Sequence, residues 1–243
     1  MANSVINYII LSIFAVAPSI IWLLYFIKKD LHPEPRHEIL RIFFYGALAT
    51  FPAIIIELGI NKAGTTLHTY LPSFIAVIPI YAAIALTEET LKYLVVKDKS
   101  LKNPECNEPV DIMIYMMSSA MGFAAVENIL VLSSYTLQDV FVISVVRFVG
   151  ATLLHALASG LVGYYVAISF FKLSSKKMIV FWGLIIASAL HAVFNFSIMA
   201  IEEDSRYIIL GAILILLLAE VVAICLRKLN KINKLDSFGN KRV

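Results

Sequence analysis

Glu88, Glu89 and Lys92 lie in ALTEETLKYLVV (residues 85–96), a stretch otherwise made of residues that suit a lipid-soluble helix. Lys92 follows Glu89 by three residues and Glu88 by four, so on a helix one ammonium reaches either carboxylate. GFAAVEN adds Glu127 and Asn128. Further along, Arg147, His155 and Ser159 recur at multiples of four with Ala151 and Gly163, a small and polar stripe suited to close helix packing. HAVFN places His191 and Asn195 on one face, one turn apart. Taken singly, each group has an ordinary structural role: a histidine or serine bonding between helices, Lys92 snorkelling to a membrane edge, Phe123 packing. Together they are harder to explain that way. A charged, unpartnered side chain at mid-bilayer costs about 2.5–3.5 kcal/mol on insertion scales, so such a set must converge on itself or on water. Two adjacent carboxylates in a low-dielectric chamber do not both ionise readily, which leaves one of them carrying a proton. The chemistry is that of an acid–base site or a proton path.

The elements that must position these groups are membrane helices. Of 243 residues, 60% are hydrophobic and 15% charged, with a mean hydropathy of +0.85, well outside the range of soluble domains. Seven apolar stretches approach the roughly 20 residues that cross a bilayer: 5–27, 39–58, 74–96, 112–132, 140–171, 178–200 and 207–226. The fifth is too long for one upright span and is read as tilted or as extending past the bilayer. Sixteen of the twenty Lys and Arg residues fall in alternate connections and the C-terminal tail, which predicts the N-terminus outside and the C-terminus in the cytoplasm. The fold class expected is an all-α polytopic bundle of about seven transmembrane helices, with an eighth, partly inserted helix near HPEPR (residues 32–36) left open. It forms one domain, 1–226, followed by a basic cytoplasmic tail, 227–243. Net charge is only +3 and gives no sign of a nucleic-acid partner. Cys106 and Cys225 are placed at the cytoplasmic side, where no disulfide is expected.

The ordered blocks DLHPEPRHEILRIFFYGAL, EETLK, FAAVEN, RFVGATLLHALASG and HAVFN cover roughly residues 30–196. In order and spacing the chain resembles the PrsW family of intramembrane proteases, within the wider CAAX-protease and bacteriocin-processing superfamily. The resemblance implies that Glu88 and Glu89 are the acid–base pair that activates water, with Lys92 orienting or balancing them. It also implies that His191 and Asn195 bind water and stabilise the oxyanion. The wider superfamily has a histidine where this chain has Glu127. Glu127 would then share the water directly, or His155 would take the histidine's place from the next helix. Asn128, Arg147 and Ser159 are supporting residues. The same resemblance implies a multi-pass protein of the bacterial plasma membrane that makes the first cut in a membrane-anchored, anti-sigma-factor-like substrate.

Peptide hydrolysis needs an activated water, donors for the oxyanion and an acid for the leaving amine, and these residue types can supply all three. A metal-independent glutamic mechanism is favoured. No HExxH is present, and the competing form is a zinc site built from Glu89, His155 and His191. No nucleotide or redox cofactor is expected. From other classes, a proton-coupled transporter would predict internal repeats, which are absent, and a silent scaffold would tolerate Glu89→Gln. An outward-facing cut conflicts with the placing of Glu88 and Glu89 in the inner half of their span, unless a water-filled funnel opens outward or Pro79 breaks the helix.

Overall fold

The computed structural model describes residues 2–67, 69–70, 72–171, 176–201 and 204–239. Among them there is no β-strand. The helices are α1 (Ala2–Ile27), α2 (Arg36–Leu67), α3 (Ser73–Lys99), α4 (Pro109–Leu132), α5 (Leu137–Arg147), α6 (Leu153–Phe171), α7 (Lys176–Ala200) and α8 (Tyr207–Gly239). A π-helical turn, Phe148–Thr152, joins α5 to α6 without a break, so the over-long fifth stretch is one rod with a widened turn inside it. Lys172 and residues 240–243 of the expected tail lie outside the described residues. As far as Gly239, the segment from 227 onward continues α8.

Six of the described helical stretches are long and apolar enough to cross a membrane. α3 is long enough but is not among them; Glu88, Glu89 and Lys92 sit within its apolar stretch. It runs unbroken through Pro79, so no break there resets the depth of the glutamates. No eighth helix forms around HPEPR. Pro33 and Pro35 lack the amides a helix needs, and residues 28–35 make an irregular connection that ends where α2 begins at Arg36.

α4 is the axis of the bundle, with 94% of its most apolar window buried inside the protein, against 28–39% for the other five candidates. Its first turn is set by a capping box. Glu108 is the N-cap, Pro109 occupies the first helical position, and the Asp111 carboxylate accepts the Glu108 amide at 2.6 Å. α2 lies against α4 with no side chain between them at two places. A Cβ at Gly46 would collide with the Ser119 carbonyl oxygen, and one at Gly122 with that of Phe43. On the other side Gly163, part of the small-residue stripe, brings α6 onto the Met113 backbone. Large apolar side chains such as Phe51, Ile55 and Leu58 on α2 point outward, as lipid contact requires.

Candidate active site

α3 delivers Glu88, Glu89 and Lys92 to the bundle interior. Lys92 does not snorkel. It is fully enclosed, and its Nζ donates to Glu89 Oε1 at 2.9 Å and Glu88 Oε2 at 3.2 Å and lies 2.8 Å from His155 Nδ1. Phe123 of α4 presents its ring 4.5 Å below the same ammonium. Neighbouring helical residues point about 100° apart, and this gives the two glutamates different surroundings. Both Glu89 oxygens are occupied inside the packing. Oε1 receives Lys92 and lies 3.1 Å from His191 Nδ1, while Oε2 receives the Ser159 hydroxyl at 2.6 Å. Glu88 instead lines a cavity of about 450 Å³ shared with Glu127, Arg147, His155, His191 and Asn195.

α4 and α6 build the opposite wall. Glu127 Oε2 sits 2.6 Å from His155 Nε2, and its Oε1 accepts Arg147 Nη2 at 3.0 Å. Arg147 Nε also donates to Asn128 Oδ1 at 2.5 Å, and Asn128 Nδ2 donates to the Ala15 carbonyl at 3.0 Å and to Thr152 Oγ1 at 3.1 Å. Asn128 thereby ties α1, α4 and the π turn together. The turn has a geometric effect. On a uniform α-helix, residues eight apart drift about 80° off a common face, whereas one extra residue in a π turn brings them nearly back into line. Arg147 and His155 consequently approach the same carboxylate from two turns of one rod.

The two imidazoles are held alike. With Lys92 donating to His155 Nδ1, its Nε2–H faces Glu127, and His191 Nδ1–H faces Glu89. The remaining nitrogens turn toward Glu88: His155 Nδ1 is 3.6 Å and His191 Nε2 3.9 Å from Glu88 Oε2. Glu88, His155 and His191 offer donor atoms within 4.8 Å of one another. The carboxylate facing both inward nitrogens is thus Glu88, where the sequence reading of a zinc site used Glu89.

Glu88, Glu89, Lys92, Glu127, Asn128, Arg147, His155, Ser159, His191 and Asn195 meet in this one place, with Asn195 half-buried on the α7 wall of the cavity, whereas Gly163 lies apart from it on Met113. Three contributors were missed. Tyr81 lies on the Glu88 face of α3, a spacing of seven that periodicity could have flagged. Glu57 reaches the cavity from α2; a lone acid in an apolar run was visible, but it has no partner at helical spacing. Thr152 acts only through the π turn.

A family model described as PrsW family intramembrane metalloprotease matches residues 34–224. The chain is 29% identical over 198 residues to the Protease PrsW of Bacillus subtilis (strain 168), covering 80% of this chain and 85% of that one. It is 29% identical over 193 residues to that of Geobacillus kaustophilus, covering 79% and 81%. With the Clostridioides difficile (strain 630) protein it shares 26% over 236 residues, 96% of each chain. No solved structure matches.

Proposed function

The chain belongs to the PrsW family of membrane proteases, and we propose that it hydrolyses a peptide bond in a membrane-anchored protein with water activated by Glu88. The observation that carries this reading is the division of labour on α3: Glu88 opens onto the cavity, and Glu89 is closed in by Lys92, His191 and Ser159. Glu88 takes the proton from a water in the cavity and returns it to the leaving amine. Lys92, 3.2 Å from Glu88 Oε2, holds that carboxylate at the edge of the cavity. His191, with Nδ1–H on Glu89, presents Nε2 as an acceptor that orients the water. Asn195 supplies the amide donor for the oxyanion, a contact worth about 10²–10³ in rate. Glu89, Glu127, Arg147, Asn128 and Ser159 hold the set in place.

The position of Lys92 favours a metal-free site. Lys92 already sits among two of the three candidate metal donors, Glu88 and His155. A second reading rests on a different observation. Each histidine is backed by a carboxylate and turns its other nitrogen toward Glu88, the arrangement that fixes metal-ligating imidazoles. The residues therefore fit a divalent metal held by Glu88, His155 and His191. When bound there it would supply Lewis-acid activation of water, and Lys92 would have to withdraw from His155.

The anti-sigma-factor class of substrate and the place in the wider CAAX-protease superfamily rest on the ordered sequence blocks. The N-out, C-in orientation rests on the distribution of Lys and Arg, and it requires α3 to cross as a seventh span. At 27 residues, or about 40 Å of helix, α3 is long enough.

Cleavage of a co-reconstituted single-span substrate in liposomes tests the assignment, with bound metal measured in parallel. Glu88→Gln should lose at least about 10²-fold in rate and Asn195→Ala about 10²–10³-fold. Equal cleavage by Glu88→Gln would remove the assignment. Activity in metal-free wild type that survives chelation supports the glutamic form, and loss restored by zinc supports the metal form.

A further inference from the structure

The connection holding HPEPR takes no part in the chamber, yet it gathers acids at the opposite end of α4. Asp30 and Glu34 come from the connection, and Glu108 and Asp111 from the start of α4. One carboxylate oxygen each from Asp30, Glu108 and Asp111 lie within 4.8 Å of one another. Glu34 is in hydrogen-bonding contact with Asp111 and accepts the Tyr115 hydroxyl.

Helix capping accounts for part of this cluster. Asp111 Oδ2 accepts the Asn107 and Glu108 amides at 3.0 and 2.6 Å, and Asp30 Oδ1 accepts the His32 amide at 3.0 Å. The partial positive charge at the start of α4 also offsets some of the negative charge. What capping leaves over is the informative part. Asp111 Oδ1 and Asp30 Oδ2 are buried with no hydrogen-bond donor, on residues that are 0% and 5% exposed. His32 Nδ1 pairs with Glu108 Oε1 at 3.0 Å, but among the described residues no lysine or arginine forms an ion pair with Asp30, Glu34 or Asp111. Two carboxyls in contact, Glu34 and Asp111, do not both stay ionised unless a positive charge sits between or beside them.

We propose that Asp30, Glu108 and Asp111 bind one hard divalent cation, of the Ca²⁺, Mg²⁺ or Mn²⁺ class, which fastens the α1–α2 connection to the first turn of α4. The donors are all oxygens, the set such cations select, and Glu34 and waters complete the shell. The site is separate from the chamber in donors and in position: its residues and those of the chamber lie at opposite ends of α4, with Asp111 in the first turn and Glu127 near the last.

Electron paramagnetic resonance of Mn²⁺ on the full chain in micelles tests this. It is done on the wild type and in a His155→Ala/His191→Ala background that removes the chamber's donors. The proposal expects one Mn²⁺ per chain in that background, displaced by Ca²⁺ or Mg²⁺ and lost in Asp30→Asn. It also expects the unfolding midpoint to rise about 5–10 °C at a hundredfold excess of cation over Kd, in the wild type but not in Asp30→Asn. Asp30→Asn is the informative variant because Asp111 also caps α4. Binding that survives Asp30→Asn would overturn the proposal. So would an unfolding midpoint that ignores divalent cations and follows pH alone, which would assign the cluster to a proton shared by Glu34 and Asp111.

Discussion

The two ends of α4 each hold a cluster of acids, and the chain balances them in opposite ways. At the Glu127 end, Glu88, Glu89 and Glu127 meet Lys92, Arg147 and two imidazoles, and both Glu89 oxygens are bonded. At the Asp111 end, among the described residues, no lysine or arginine pairs with Asp30, Glu34 or Asp111, an exposed histidine pairs with Glu108, and two buried oxygens, on Asp30 and Asp111, have no donor. The first cluster is complete when the helices pack; the second is completed from outside. Buried charge is tolerated where the chain carries its own counter-charge, and elsewhere it marks a place for a proton or an ion.

The largest effect should come from making the chamber resemble the other end. Lys92→Met leaves two buried carboxylates without their shared cation and should cost about 3–5 kcal/mol, read as a lower unfolding midpoint in detergent. Adding Glu89→Gln should recover part of it. If Lys92→Met unfolds like wild type, the chamber is not balanced by Lys92. Arg147→Met should cost less, about 1–3 kcal/mol, because the Glu127 side chain is 30% exposed and keeps His155. Its signature should be a loss of activity beyond the loss of stability, since Glu127 then no longer fixes His155. The smallest effect has the opposite sign. In chelator, Asp30→Asn removes an unbalanced acid and should raise the midpoint, by up to about 1 kcal/mol in stability. A lowered midpoint under those conditions would show that the Asp30 cluster is balanced from within.

Much of the chamber was legible in the sequence because helical spacing and chemistry agreed: Glu88, Glu89 and Lys92 within one turn, and His191 and Asn195 one turn apart. The choice between the glutamates was not legible, because Lys92 is reachable from i and i+1 alike, and only packing decides which carboxylate faces the cavity. The seven helical stretches were visible in apolar length. The π turn was hidden, since one widened turn leaves composition unchanged and shifts only the register of Arg147 against His155. Asp30 and Asp111 stand some eighty residues apart, and nothing local in either stretch announces the other.

α4 is also the least apolar of the six candidate spans, with a mean hydropathy of 1.4 against 1.9–3.0 for the rest. Having almost no lipid-facing surface, it is insulated from the bilayer. A thicker or thinner membrane acts on the outer helices through hydrophobic mismatch, but it reaches α4 only through the helices packed on it, at contacts such as Gly46 on Ser119 and Gly122 on Phe43. The depth of Glu127 is accordingly fixed by protein against protein, and changes of acyl-chain length should tilt the periphery before they move the carboxylate.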